Sequence, residues 1–95
     1  MPAYLIADIE VTDVRAYEAY RRRVPEMIAA HGGRYLVRGG AAEVLEGSWQ
    51  PRRMVVLEFP SMARLRAFYD SADYAPLKAL RVGASDSRIL AVEGI

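Results

Sequence analysis

The chain has 95 residues, 53% of them hydrophobic, and its 13 basic and 12 acidic side chains leave a formal charge of +1. That is the size of one domain, residues 1–95, with apolar mass for a core but a large wet surface for which self-association is a natural remedy. Near-neutral charge excludes a general field for nucleic acid or anionic membrane. The absence of Cys excludes disulfides, thiolate metal sites and thiol nucleophiles, and fits the reducing cytoplasm.

The opening MPAYLIADIE lacks a basic n-region and has its apolar run broken by Asp8, so it predicts neither a signal peptide nor a membrane span. From Ala3 to Val11 the odd positions are all apolar, whereas the even ones carry Tyr4, Ile6, Asp8 and Glu10. This period of two predicts a strand whose odd face lies under helices. Asp13 offers an N-cap to a long amphipathic helix, in which Tyr17, Tyr20, Val24, Met27, Ile28 and His31 recur at helical spacing until Gly32 and Gly33 stop it. Pro25 deletes one backbone donor inside it and predicts a kink near residues 21–25 or two shorter helices end to end. The run Arg21, Arg22, Arg23 reads as a solvated face paired with Glu18 and Glu26. His31 is the only histidine, so no cluster of imidazoles can hold a metal, and its place at the helix C-terminus suits a cation facing the dipole.

Arg34 to Arg38 alternates again, Gly39 and Gly40 suggest a bulge or sharp bend, and Ala42 to Gly47 reads as a short strand before a turn over Ser48 to Arg52. Arg53 to Phe59 is the clearest strand of the second half, with Val55, Leu57 and Phe59 on one face and Met54, Val56 and Glu58 on the other. Ser61 can cap a helix whose stripe is Met62, Leu65, Phe68 and Tyr69. A shorter helical turn carries Tyr74, Leu77, Leu80 and Arg81, and Arg88 to Glu93 forms the last strand. The order βαββαβ predicts an α+β, ferredoxin-like domain: a four-stranded antiparallel sheet with the helices on one face. The bare face carries Tyr4, Ile6, Met54 and Val56. A second copy packing sheet to sheet is the simplest cover, so a homodimer through the open sheet face is expected.

The run GGRYLVRGG, then EVLEG with a Trp and a basic pair, then VVLEFPS and FYDSADYAPLKALR, resembles the bacterial family called domain of unknown function 1330, over Tyr4 to Gly94. The resemblance implies a ferredoxin-like fold of the dimeric α/β-barrel superfamily, where two sheets pack into a barrel and small organic molecules bind between sheet and helices. It implies no activity, since that superfamily holds haem-degrading enzymes, quinone-forming monooxygenases and lactone isomerases alike. The family pattern also places an arginine at Arg81.

Individual residues carry two readings each. Arg38 precedes two glycines that admit a close ligand, and its guanidinium suits a carboxylate or enolate, or else a nearby Glu. Glu58, on the barrel face of a central strand, is a candidate general base or the partner of Arg34 or Arg38. Asp8 shares that ambiguity and points to the opposite end of the sheet, so the two carboxylates form no close dyad. Tyr17, Tyr20, Tyr69 and Tyr74 read as core aromatics, some of them lining a cleft with phenolic donors. Trp49, in a polar turn, is a dimer anchor or a lid over a ligand. Arg81 ends a short helix, where a cation suits the dipole.

Missing residues exclude sharper functions. An RNA-recognition module needs exposed aromatics in its third strand, where RMVVLEF offers Met54, Val56 and Glu58. No Cys-x-x-Cys serves a metal chaperone, no glycine-rich loop leads into a helix to cradle phosphate, and no Asn completes the Asn, Trp and Tyr set common in monooxygenases of the superfamily. Two functions remain. One is a homodimeric small-molecule-binding or structural protein without cofactor or metal, whose cleft accepts a small anionic or aromatic metabolite through Arg38, Trp49, Tyr69, Tyr74 and Arg81. The alternative is a small cofactor-free enzyme, of proton-transfer, isomerase or monooxygenase type, acting on a small carboxylate or aromatic metabolite. There Glu58 or Asp8 would abstract a proton while Arg38 stabilises the enolate.

Overall fold

Alternation and helical spacing produce seven elements in the computed structural model, which describes residues 1–95: β1 (Ala3–Val11), α1 (Val14–Ala30), β2 (Arg34–Arg38), β3 (Met54–Phe59), α2 (Met62–Tyr69), α3 (Ala75–Ala84) and β4 (Ser85–Glu93). The strands form one sheet in the order β2-β3-β1-β4, each neighbour antiparallel. This is the ferredoxin-like α+β arrangement read from the sequence. The body is a slab of 35 × 33 × 16 Å, thin because it has one sheet layer and one helical layer.

The odd residues of β1 and β3 make the floor of the core, and Tyr17, Tyr20, Val24 and Ile28 of α1, Leu65 and Phe68 of α2, and Leu77 and Ala84 of α3 make its roof. Phe59 and Phe68 are almost wholly buried and stack with ring centroids 5.4 Å apart. Gly33 is required beside them, because a Cβ there would fall 2.6 Å from Phe59 and 2.8 Å from Ile28. Both expected caps form: Asp13 Oδ1 accepts from Ala16 N at 3.1 Å, and Ser61 Oγ accepts from Arg64 N at 3.1 Å. Each such cap stabilises its helix by about 1 kcal/mol.

Four local expectations change. Helix α1 runs unbroken through Pro25, so it is not two helices. The carbonyl that Pro25 cannot satisfy, Arg21 O, instead accepts a long bond of 3.4 Å from Arg38 Nη2. Ala42–Gly47 is not a strand: β2 already forms the sheet edge, and the chain leaves it after Arg38 and regains it only at Met54. Strand β4 starts at Ser85 and not at Arg88, since Ser85 to Ser87 pair with Val11 to Ile9 of a long β1. Finally, the bulge lies between Tyr35 and Val37, ahead of the glycines. It shifts the alternation so that Tyr35, opposite Leu57, and Arg38, opposite Val55, share the helix-facing side while Arg34, opposite Glu58, faces the other way.

Candidate functional site

Between α1, α3 and the sheet lies a cleft whose walls are mostly apolar and whose polar groups are all donors or phenols. Tyr17 and Tyr20 reach it from α1, Tyr35 and Arg38 from the bulged β2, Arg53 from the residue before β3, Tyr69 from the end of α2, and Tyr74 and Arg81 from α3. The cavity measures about 40 Å³, room for roughly three waters or one small polar group. Its tyrosines pack ring to ring: Tyr17 with Tyr20 at 5.6 Å, Tyr20 with Tyr74 at 6.5 Å, and Tyr69 with Tyr74 at 5.9 Å between centroids. The hydroxyls of Tyr20 and Tyr74 share a buried hydrogen bond of 2.8 Å. Burial, and then the adjacent Tyr74, push the Tyr20 phenol far above its ordinary range, so it stays a neutral donor or acceptor.

Arg81 is only 4% exposed, yet it has no carboxylate within salt-bridge distance. Burial works against its charge, and the Tyr74 hydroxyl beside it and the neighbouring tyrosines outweigh that effect, so it remains a guanidinium. The C-terminal turn of α3 adds a favourable dipole. Two buried side-chain polar atoms in the chain lack any partner, Arg53 Nε and Arg81 Nε, and both residues line this one cavity. Outside it, Arg21, Arg22, Pro25, Arg38 and Arg53 surround an open hollow of about 340 Å³ with no hydrophobic lining. Glu18 is engaged by Arg21 at 2.9 Å and Arg22 at 3.5 Å. Arg38 lies over the Tyr35 ring at 4.7 Å, and Arg53 over Tyr17 at 5.9 Å.

The opposite face of the sheet is built differently. Asp8 Oδ2 accepts from Trp49 Nε1 at 3.0 Å and Oδ1 from Arg52 N at 2.9 Å, which straps the loop between β2 and β3 onto the sheet. The indole N–H, followed by the Arg52 backbone, holds the Asp8 carboxyl below the usual carboxylate range. Glu58 accepts from Arg34 Nε and pairs with its Nη2, both at 2.7 Å. Leu90, Val92 and Val37 remain exposed on this side, as does 60% of Trp49.

Of the residues singled out in the sequence, the fold brings Arg38, Tyr69, Tyr74 and Arg81 together in the cleft. It puts Asp8, Trp49 and Glu58 behind the sheet. The proton-transfer arrangement of Glu58 or Asp8 with Arg38 is therefore not assembled, because a layer of backbone separates base from guanidinium. Trp49 closes over Asp8 and does not cover the cleft. Sequence reasoning missed Arg21, Tyr35 and Arg53. Arg53 was within reach, since it shares the odd parity of Val55 and Leu57, and so was Arg21, whose carbonyl Pro25 leaves open. No group of three His, Asp or Glu side chains is placed to hold a metal ion, and no helix is long and apolar enough to cross a membrane.

A family model described as Domain of unknown function (DUF1330) matches residues 2–95. Among solved structures, the chain resembles the RPA0582 protein of unknown function from Rhodopseudomonas palustris with a TM-score of 0.79 at 19% identity, covering 99% of this chain and 82% of that one. It resembles SnoaB, a cofactor-independent oxygenase from Streptomyces nogalater, with a TM-score of 0.67 at 11% identity over 99% of this chain and 93% of that one. HapK from Hahella chejuensis gives 0.62 at 17% identity over 98% and 92%. At such identities the likeness is one of fold. No curated protein matches the chain.

Proposed function

Since the chain belongs to the DUF1330 family, a domain of unknown function that hands down no reaction, we propose its role from its own site: a homodimeric small-molecule-binding protein whose cleft takes a small anionic metabolite with an apolar or aromatic body. The observation that carries this reading is that Arg53 and Arg81, the two residues with buried and unpartnered Nε atoms, line one cavity that holds no carboxylate. A buried guanidinium without a counter-charge is costly, and an acid entering the cleft relieves that cost by supplying charge-assisted hydrogen bonds. Arg38, Arg53 and Arg81 bind the acid, Tyr20 and Tyr74 supply a phenolic donor, and the body extends past Tyr17 and Tyr35 towards the outer hollow. The homodimer forms through the open sheet face, whose exposed Leu90, Val92 and Trp49 need a cover, and Trp49 belongs to that contact. The cofactor-free proton-transfer alternative is less well supported, because no carboxylate lines the cleft to serve as its base.

Native mass spectrometry of the purified protein, paired with melting curves in the presence of carboxylates, tests both halves. The expected result is a dimer carrying a small acid, or a bare dimer whose melting temperature rises as benzoate is added; saturation at 100 times Kd adds about 2.7 kcal/mol of stability. A monomer at micromolar concentration overturns the homodimer. A dimer that no carboxylate stabilises overturns the anion site.

A further inference from the structure

The geometry points to a ligand with two acidic groups, one seated inside on Arg81 and the other held at the mouth by Arg38 and its neighbours; this rests on the anion-binding reading of the same cleft. The first argument is the inventory of hydrogen-bonding groups. The tyrosine pair has two hydroxyl protons, and its mutual bond uses one, which leaves the other free for a ligand acceptor. Arg81, Arg53 and Arg38 offer only donors, and Glu18, the partner of Arg21 and Arg22, lines neither space. Such a site presents cationic donors and neutral phenols with no carboxylate among them, which disfavours amines. Oxyanions satisfy it.

The second argument is one of size and continuity. The inner cavity, about 40 Å³, has room for one carboxylate and little more. The outer hollow, about 340 Å³, holds a much larger group, and its polar atoms come from four arginines, with Pro25 the one uncharged residue in its wall. The two spaces share Arg21, Arg38 and Arg53, so they lie next to each other on either side of these side chains. A monoacid seated on Arg81 would leave Arg38 and Arg53, the two arginines of the mouth that pair with no carboxylate, without a counter-charge, and one held at the mouth would leave Arg81 buried without one. A molecule with an acid at each end meets both. The third argument is the bond from Arg38 Nη2 to the Arg21 carbonyl: at 3.4 Å it is long, so Arg38 gives up little when it turns to a ligand.

The test is calorimetric titration at constant ionic strength with matched probes: succinate, glutarate and phthalate against butyrate, valerate and benzoate, with phosphoglycolate to distinguish a phosphate from a carboxylate at the mouth. The expected result is that at least one diacid binds about tenfold or more tighter than its monoacid counterpart, the gain of one extra charge-assisted contact. In Arg38→Gln that ratio falls towards one, and Arg81→Met abolishes binding of both classes. Should Arg38→Gln fail to fold by circular dichroism, Arg22→Gln, which touches the outer hollow alone, takes its place. Equal affinity for diacids and monoacids overturns the two-acid inference and leaves the anion site standing. Failure of every acid to bind overturns both.

Discussion

On the open face of the sheet the two carboxylates nearest its centre have named donors: Asp8 has Trp49 Nε1 and Arg52 N, and Glu58 has Arg34. On the helix side, a few ångströms of backbone away, the balance reverses. Arg53 and Arg81 have Nε atoms without partners, Arg38 makes one long bond to a carbonyl, and no acid lines the cavity. A chain with almost equal numbers of acids and bases has thus been sorted by its strand alternation into a face whose central acids are paired and a cleft left with surplus positive charge. Fully matched polar groups serve the fold, whereas unmatched buried ones are costly to retain and mark where an external partner completes the set. The sheet is what keeps the two populations from neutralising each other.

The sharpest way to break this comparison is Arg81→Met. If the guanidinium is an unmatched charge, an apolar side chain of similar length removes a cost, and the free protein gains about 1–4 kcal/mol, by analogy with the replacement of other buried charges. Carboxylate binding is lost at the same time. Chemical denaturation and calorimetry on the same preparation read both. A loss of stability on substitution would show that Arg81 is a structural group satisfied by its tyrosines, and the cleft would then resemble the open face.

How much of this was legible beforehand differs between the two faces. The odd and even sides of β1 and β3 could be read directly, because period-two alternation survives wherever a strand is regular. The layered fold and the placement of Glu58 and Asp8 away from the helices follow from it. Strand β2 was misread at Arg38. Simple alternation puts Arg34 and Arg38 on one side, and the bulge between Tyr35 and Val37 separates them, yet nothing in RYLVR announces a bulge. The cleft was hidden for the same reason: Arg21, Tyr35, Arg38 and Arg53 come from three elements and meet only once that register is known. The strap at Asp8 lay equally beyond reach, since its two donors come from an irregular loop with no periodicity to place them.

Asp8→Asn sharpens the comparison from the other face. The amide retains one acceptor oxygen but turns a donor towards Trp49 or Arg52, so the strap loosens at a cost of about 1–2 kcal/mol. The sign of the pH dependence follows from the lowered carboxyl: the folded state holds Asp8 ionised more strongly than the unfolded chain does, at a reference value of about 3.9. The stabilisation is fully present above that value and is lost as pH falls through the still lower folded value. Trp49 is the only Trp, so its fluorescence reports the release of the strap. The native protein should show an emission shift to the red on acidification below about pH 4, and Asp8→Asn should show that shifted spectrum already at neutral pH. An indole signal indifferent to both changes would mean that the bond to Asp8 does not hold the loop.

Glu58→Gln is expected to do least, and the smallness is the informative part. Arg34 lies on the edge strand with 71% of its side chain exposed against 22% for Glu58, so solvent screens the pair despite its short contact. Exposed pairs of this kind contribute about 0–1 kcal/mol, and the neutral amide can still accept from Arg34 Nε. A melting temperature displaced only slightly, with carboxylate titrations unchanged, would confirm that the open face and the cleft are energetically separate. A loss of about 3 kcal/mol or more would instead mean that the pair is desolvated in the assembled protein, since breaking a buried ion pair leaves an uncompensated charge. That penalty would have to come from a second copy covering the edge of the sheet at Arg34, and repeating the melt across a hundredfold range of protein concentration would separate it from a cost internal to one chain.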